Sequence, residues 1–145
     1  MSGFPSGIAS NKEIERFAVF CETVKRSREE NMELPAQCAL LRIFFGEDDR
    51  AADGKPLHEA IVIKAREAGM AGATVLRGPL GFGRSSVLHT AKILRLSQDL
   101  PIVVEIVDAP EKIDALIPAI KALTSEKSCL ITREKVEVIR YGDGD

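Results

Sequence analysis

Residues able to do chemistry gather in one stretch of this sequence. Gly78-Pro-Leu-Gly81-Phe-Gly83-Arg84-Ser85-Ser86 is followed by His89-Thr90-Ala-Lys92 and then by Arg95-Leu-Ser97-Gln-Asp99. Glycines let a backbone take positive φ and approach a ligand closely. Successive exposed N–H groups in such a turn form a nest for an anion. Arg84 adds a planar donor fork, and Ser85 and Ser86 add hydroxyls. Arg77, Lys92 and Arg95 add charge, against Asp99 as the single acid between Gly78 and Leu100. That set suits a phosphate. There is no GxxxxGK[ST], and the glycines do not form a GxGxxG opening a helix after a strand. A flexible hairpin whose glycines only turn the chain is the competing reading.

Other chemistry is thinner. His58 and His89 are the only histidines, and neither has a Cys or His neighbour at metal-ligand spacing, so His58 is expected to be solvated or hydrogen-bonded. Glu47, Asp48 and Asp49 could hold a hard cation such as Mg²⁺ beside a phosphate, or form a solvated acidic turn. Ser85 or Ser86 with His89 is too little for a hydrolase, and no catalytic residue is assigned. Glu105, inside an apolar run, is expected to be paired or to face a cleft between subunits. Cys21, Cys38 and Cys129 are widely spaced without a CxxC, which reads as free thiols in a reducing cytoplasm.

The elements that must position these groups follow from periodicity. Ala39–Phe45 is predicted as a strand, with Leu41, Ile43 and Phe45 on one face and Leu40, Arg42 and Phe44 on the other. Pro56 suits a first helical position. Leu57, Ile61, Ala65 and Ala68 then form a stripe that stops near Gly69, a natural left-handed cap. Ala73–Arg77 and Pro101–Val107 read as further strands, the latter apolar enough for burial on both faces. A second helix starts at Asp108 to Pro110 and is lined by Ile113, Leu116, Ile117, Ile120 and Leu123, with Pro118 expected to kink it. Ser128–Thr132 and Lys135–Tyr141 supply a final strand or pair of strands.

The order is β-α-β-β-α-β, an α+β, ferredoxin-like plan with two helices over one face of a four-stranded antiparallel sheet. The strands carry apolar residues on both sides, so the opposite face calls for cover from other subunits. The connection from Gly78 to Leu100 is far longer than a hairpin needs, which marks it as functional or disordered. Residues 1–34 stand apart as an N-terminal extension: a disordered start, then an amphipathic helix over about Lys12–Glu30 capped by Asn11. Translation starting at Met32 would remove that segment. The domain proper runs over residues 35–145.

Composition excludes several classes. The chain has 145 residues, enough for one domain with an appendage, and 20 basic against 22 acidic residues leave a net charge of −2. No global field favours nucleic acid or anionic lipid. With no Trp, one Tyr and six Phe, stacking platforms for nucleobases are scarce. No apolar run is long enough to span a bilayer, and no secretory signal opens the chain.

Several ordered blocks resemble the bacterial and archaeal PII-like family catalogued as domain of unknown function 190. They are Leu41-Arg-Ile-Phe-Phe-Gly-Glu-Asp-Asp-Arg50, Gly54-Lys-Pro-Leu57, Ala65-Arg-Glu-Ala-Gly69, Ala71-Gly-Ala-Thr-Val75, Gly81-Phe-Gly83, His89-Thr-Ala91, Leu94-Arg-Leu-Ser97, Asp99-Leu-Pro101 and Glu105-Ile-Val-Asp108. The similarity covers about Leu34 to Tyr141. It implies a homotrimer with sheets packed inward and a mobile loop equivalent to the PII T-loop within Gly81–Asp99. It further implies an adenine nucleotide (AMP, ADP or ATP, with Mg²⁺ as a possible companion) in clefts between subunits. The loop would signal to a membrane transporter, a channel or an enzyme. Phosphate chemistry and the family signature together select Gly81, Gly83, Arg84, Ser86 and Arg95 as nucleotide-binding residues. Tyr141, the only tyrosine, lies outside the loop, so uridylylation is not expected. The expected function is a non-catalytic, cytoplasmic, nucleotide-responsive regulator. The alternatives are a metal-binding or metal-tolerance trimer of the same fold, or a nucleotide-processing enzyme.

Overall fold

The computed structural model describes residues 33–84, 89–90, 99–125 and 127–142. The chain divides into two units, Met1–Glu33 and Leu34–Asp145. The helix expected over Lys12–Glu30 lies outside the described residues, as do Ser85, Ser86, Lys92 and Arg95 and the side chain of His89.

In the second unit the elements run β1 (Gln37–Gly46), α1 (Leu57–Glu67), β2 (Ala73–Arg77), β3 (Leu80–Gly81), β4 (His89–Thr90), β5 (Pro101–Asp108), α2 (Pro110–Thr124) and β6 (Leu130–Glu137). The main sheet has the order β2-β5-β1-β6, with every neighbouring pair antiparallel. Setting the short β3–β4 hairpin aside, this is the expected ferredoxin-like arrangement.

The core lies between the sheet and the two helices. Leu41, Ile43 and Phe45 of β1 meet Ile102, Val104 and Ile106 of β5 beneath Leu57, Ile61 and Ala65 of α1 and Ile113, Leu116 and Ile120 of α2. Burying each large aliphatic side chain contributes about 1.5–3 kcal/mol. Helix boundaries follow local chemistry. Pro56 precedes α1, and Gly69, at φ +72, ends its neighbourhood in the left-handed conformation. Pro110 opens α2, where its missing N–H has no helical partner to lose, and α2 continues through Pro118 without a break.

The other sheet face is ordered in rows. Strand register aligns Leu76, Val103, Phe44 and Leu130 across all four strands. The next row is polar: Thr74, Glu105, Arg42 and Thr132. Beyond it come Val107 of β5, Leu40 of β1 and Glu134 of β6. Leu76 and Leu130 are exposed, and no described helix covers this side.

Two points left open by the sequence are decided. Of the single strand or strand pair expected at the C-terminal end, the structure has the single strand, ending at Glu137, because Thr132–Lys135 pairs with β1 without interruption from Phe44↔Leu130 to Gln37↔Glu137. An edge strand with a wet face tolerates such a run. The long connection after β2 also holds structure of its own. Leu80 pairs with Thr90 and Gly81 with His89, giving the insertion a two-residue stem.

Candidate functional site

The C-terminal residues after β6 leave the sheet edge and cross its open face. The Val138 N–H donates to the Ala36 carbonyl at 2.8 Å, which roots this strap. Three residues later the Tyr141 hydroxyl donates to the Ala71 carbonyl at 3.0 Å, in the loop entering β2. Between strap and sheet lies a cleft of about 690 Å³ whose walls include Leu34, Thr74, Glu105, Val107, Arg140 and Tyr141. Its size is that of a small-molecule site, and its lining mixes apolar walls with a few convergent polar groups.

Glu105 is fixed in the wall of that cleft. The Arg42 Nε donates to Glu105 Oε1 at 2.8 Å, and the same guanidinium also meets Glu134. Of the two alternatives weighed for Glu105, the pairing holds, and the cleft it faces is walled by residues of its own chain. The hydrogen bond to Glu105, helped by the charges of both carboxylates, holds Arg42 above its ordinary value despite partial desolvation. A guanidinium so placed keeps its donors in one plane and leaves Glu105 an acceptor.

The floor at the cleft's β2 end is clamped from below. Asp108 is 1% exposed and accepts from the Ala71 N–H at 2.8 Å and the Ala109 N–H at 2.7 Å. Lys112 Nζ lies 2.9 Å from Asp108 Oδ2 and donates to the Gly69 carbonyl at 2.7 Å. Nearby, Cys38 donates to the Pro35 carbonyl at 3.0 Å. Burial, with added repulsion from Asp108 and Glu111, raises its thiol above the ordinary range, which favours the protonated form.

At the opposite end of β2 the insertion is pinched at its base. The Gly78 N–H donates to the Pro101 carbonyl at 2.8 Å, and the Glu47 N–H donates to the Leu100 carbonyl at 2.8 Å. Arg77 pairs with Glu47 at 2.6 Å. The acidic run is committed to this base: Asp49 accepts from the Gly46 N–H at 3.1 Å, and Asp99 accepts from the Asp48 N–H at 2.9 Å. It is a built turn rather than a freely solvated one. His58 also departs from expectation, because its Nδ1 is enclosed with no hydrogen-bond partner among the described residues.

The glycines divide by role. Gly78, Gly81 and Gly83 do not take the positive φ expected of them; Gly54, Gly69 and Gly142 do. Gly78 and Gly81 are small because Pro101 packs on them: a Cβ at Gly78 would sit 2.9 Å from Pro101 Cγ, and one at Gly81 3.0 Å. Gly83 has nothing within 4 Å. Gly78→Ala is therefore expected to cost about 1–3 kcal/mol, while Gly83→Ala leaves the melting temperature unchanged. Thermal unfolding of the two variants side by side checks this, and equal midpoints would refute the packing role. Arg84 is exposed and forms no ion pair with a described residue.

The family described as DUF190, Uncharacterized ACR, matches residues 38–138, from the start of β1 to the root of the strap. This chain belongs to the DUF190 family. A UPF0166 protein of Aquifex aeolicus (strain VF5) is 42% identical over 100 residues, covering 69% of this chain and 91% of that relative. A UPF0166 protein of Methanocaldococcus jannaschii is 30% identical over 92 residues, covering 63% of this chain and 83% of that one. Among solved structures, the fold is similar to that of CPII, a nitrogen regulatory PII-like protein from Thiomonas intermedia K12 bound to ADP, AMP and bicarbonate. The TM-score is 0.54 at 17% identity, over 74% of this chain and 92% of that one. A PII-like signaling protein from Thermus thermophilus gives a TM-score of 0.53 at 15% identity, over 74% and 94%. The DUF190 chain thus has the PII-like fold. Of its sequence-selected residues, Gly81, Gly83 and Arg84 follow β2 at the insertion's base, while Ser86 and Arg95 lie outside the described residues. The cleft itself escapes sequence reading apart from Glu105, a charge enclosed by an apolar run.

Proposed function

We propose that this DUF190 protein is a non-catalytic PII-like regulator that binds an adenine nucleotide and signals through its insertion. The observation that carries the reading is the cleft over Thr74 and Glu105, on the same strand pair that leads into the insertion. Gly78 lies four positions after Thr74, about 13 Å along the strand, comparable with an extended nucleoside diphosphate. The nucleoside occupies the cleft, and its phosphates reach toward Gly81, Gly83 and Arg84, with Ser86 and Arg95 completing the anion site. CPII, of similar fold, is bound to ADP and AMP, which supports this assignment.

The functional unit in this reading is a homotrimer. The row Leu76–Val103–Phe44–Leu130 packs against other copies, and the insertions project from the assembly. A segment of low intrinsic stability suits a switch that a ligand orders in one state and releases in another. A membrane transporter or channel is the partner this reading assigns to the loop. No described helix is long and apolar enough to cross a membrane.

Thermal unfolding with AMP, ADP, ATP, cyclic AMP or GDP, each with and without Mg²⁺, tests the ligand class. Ligand at 100 times Kd stabilises the fold by about 2.7 kcal/mol, a shift of several degrees. Arg84→Ala is expected to weaken ADP binding by about 1.5–3 kcal/mol with little change in the unliganded midpoint. No shift with any adenine nucleotide would overturn the assignment.

A further inference from the structure

We infer that the strap Val138–Tyr141 is a latch over the cleft, and that the Tyr141 hydroxyl sets how long a bound nucleotide stays. The inference rests on the nucleotide reading for its ligand, but the latch itself rests on the strap's construction. The root is fixed by the backbone hydrogen bond between Val138 and Ala36, which continues the ladder direction of β6. The far end is held by a side chain, Tyr141, on a carbonyl 70 residues away in sequence. Between these points Ile139 is 86% exposed, so this part of the span has almost no packing to hold it down. Gly142, at φ +94, turns the chain immediately beyond Tyr141. Such a segment opens by losing a side-chain contact at one end, at far smaller cost than unpairing a strand.

The receiving side is rigid. Ala71 presents its carbonyl to Tyr141 while its own N–H is held by buried Asp108. Lys112 bonds Asp108 and the Gly69 carbonyl together. The peptide that receives the latch is thus clamped to the start of α2 and cannot follow the strap as it lifts. Tyr141 and Arg140 also line the cleft, so lifting the strap removes part of its wall. A ligand seated there loses its contacts with Arg140 and Tyr141 when the strap lifts. One hydroxyl hydrogen bond therefore shows itself chiefly in the dissociation rate.

Tyr141→Phe keeps the ring and deletes the bond. Stopped-flow release of a fluorescent ADP analogue is expected to be about two- to tenfold faster in the variant, with the association rate unchanged or slightly raised. Release at the wild-type rate would overturn the latch. A ligand-free measurement separates this from failure of the nucleotide reading. Because the chain has one tyrosine, ring-labelled tyrosine gives a single side-chain signal in NMR spectra. Backbone order at Ile139–Gly142 in the same unliganded protein, read from ¹⁵N relaxation, is expected to fall in Tyr141→Phe. Equal order in both proteins refutes the latch whatever the ligand. Lower order in a protein that binds no nucleotide upholds the latch and refutes only the identity of its guest.

Discussion

Asp108→Ala is expected to destabilise the fold by about 3–4 kcal/mol, one of the largest losses available to a single polar side chain here. The carboxylate is 1% exposed and satisfies two backbone N–H groups, on Ala71 and Ala109, as well as the Lys112 ammonium. Truncation leaves both half-buried amides without their acceptor, at about 1–3 kcal/mol each. Lys112 contributes less to the loss, since it is partly exposed, can turn to water and keeps the Gly69 carbonyl. Asp108→Asn retains an amide oxygen and should cost roughly half as much. Urea unfolding would show a lower midpoint at unchanged slope, and the melting temperature would fall by roughly 10–20 °C. A loss below about 1 kcal/mol in Asp108→Ala would mean that the loop entering β2 is held by something else. The same variant should loosen Ala71 as the acceptor of Tyr141, so the cleft is expected to weaken with the fold.

What can be read in the sequence follows the range of the physics involved. β2 is legible to the residue because Gly72 and Gly78 bracket a five-residue run with Thr74 and Val75 at its centre. The helices are legible because Leu57, Ile61 and Ala65, like Ile113, Leu116 and Ile120, repeat at helical spacing and face one core. These are local signals. β6 reads as either one strand or two, because Arg133 and Glu134 interrupt its apolar residues, and its pairing with β1 some ninety positions away makes it one. Gly78 and Gly81 look like phosphate-binding glycines, yet their size is explained by the Pro101 ring, brought there by the β2–β5 pairing. The cleft is hidden for the same reason: Leu34, Thr74, Glu105 and Tyr141 share no sequence neighbourhood. Its one local trace is an acidic residue amid Ile, Val and Val. The set proposed to bind phosphate splits between the base of the insertion and residues beyond those described. Its chemistry is legible as residue types, whereas its geometry depends on the β2–β5 stem.

Leu76→Lys is expected to leave the secondary structure of the chain intact and to abolish its assembly. Leu76 is 48% exposed at the β2 edge, so within one chain a lysine there reaches water and costs little. In a trimer the row Leu76–Val103–Phe44–Leu130 is covered by another copy, and each copy would bury an unpaired ammonium. That penalty is about 3 kcal/mol or more per copy and acts three times in one particle. Glu105, in the next row, offers little relief, because its carboxylate is already paired with Arg42. Light scattering should therefore give a trimer for the wild type and a monomer for Leu76→Lys, with superimposable far-ultraviolet circular dichroism. Ile63→Lys is the matching control: Ile63 is 42% exposed on α1, on the helical side of the sheet, and its replacement should leave the trimer whole. A Leu76→Lys trimer, or a wild-type monomer, would show that the apolar row is not the surface that joins the copies. A row that stays bare would leave the cleft to be closed by its own strap alone.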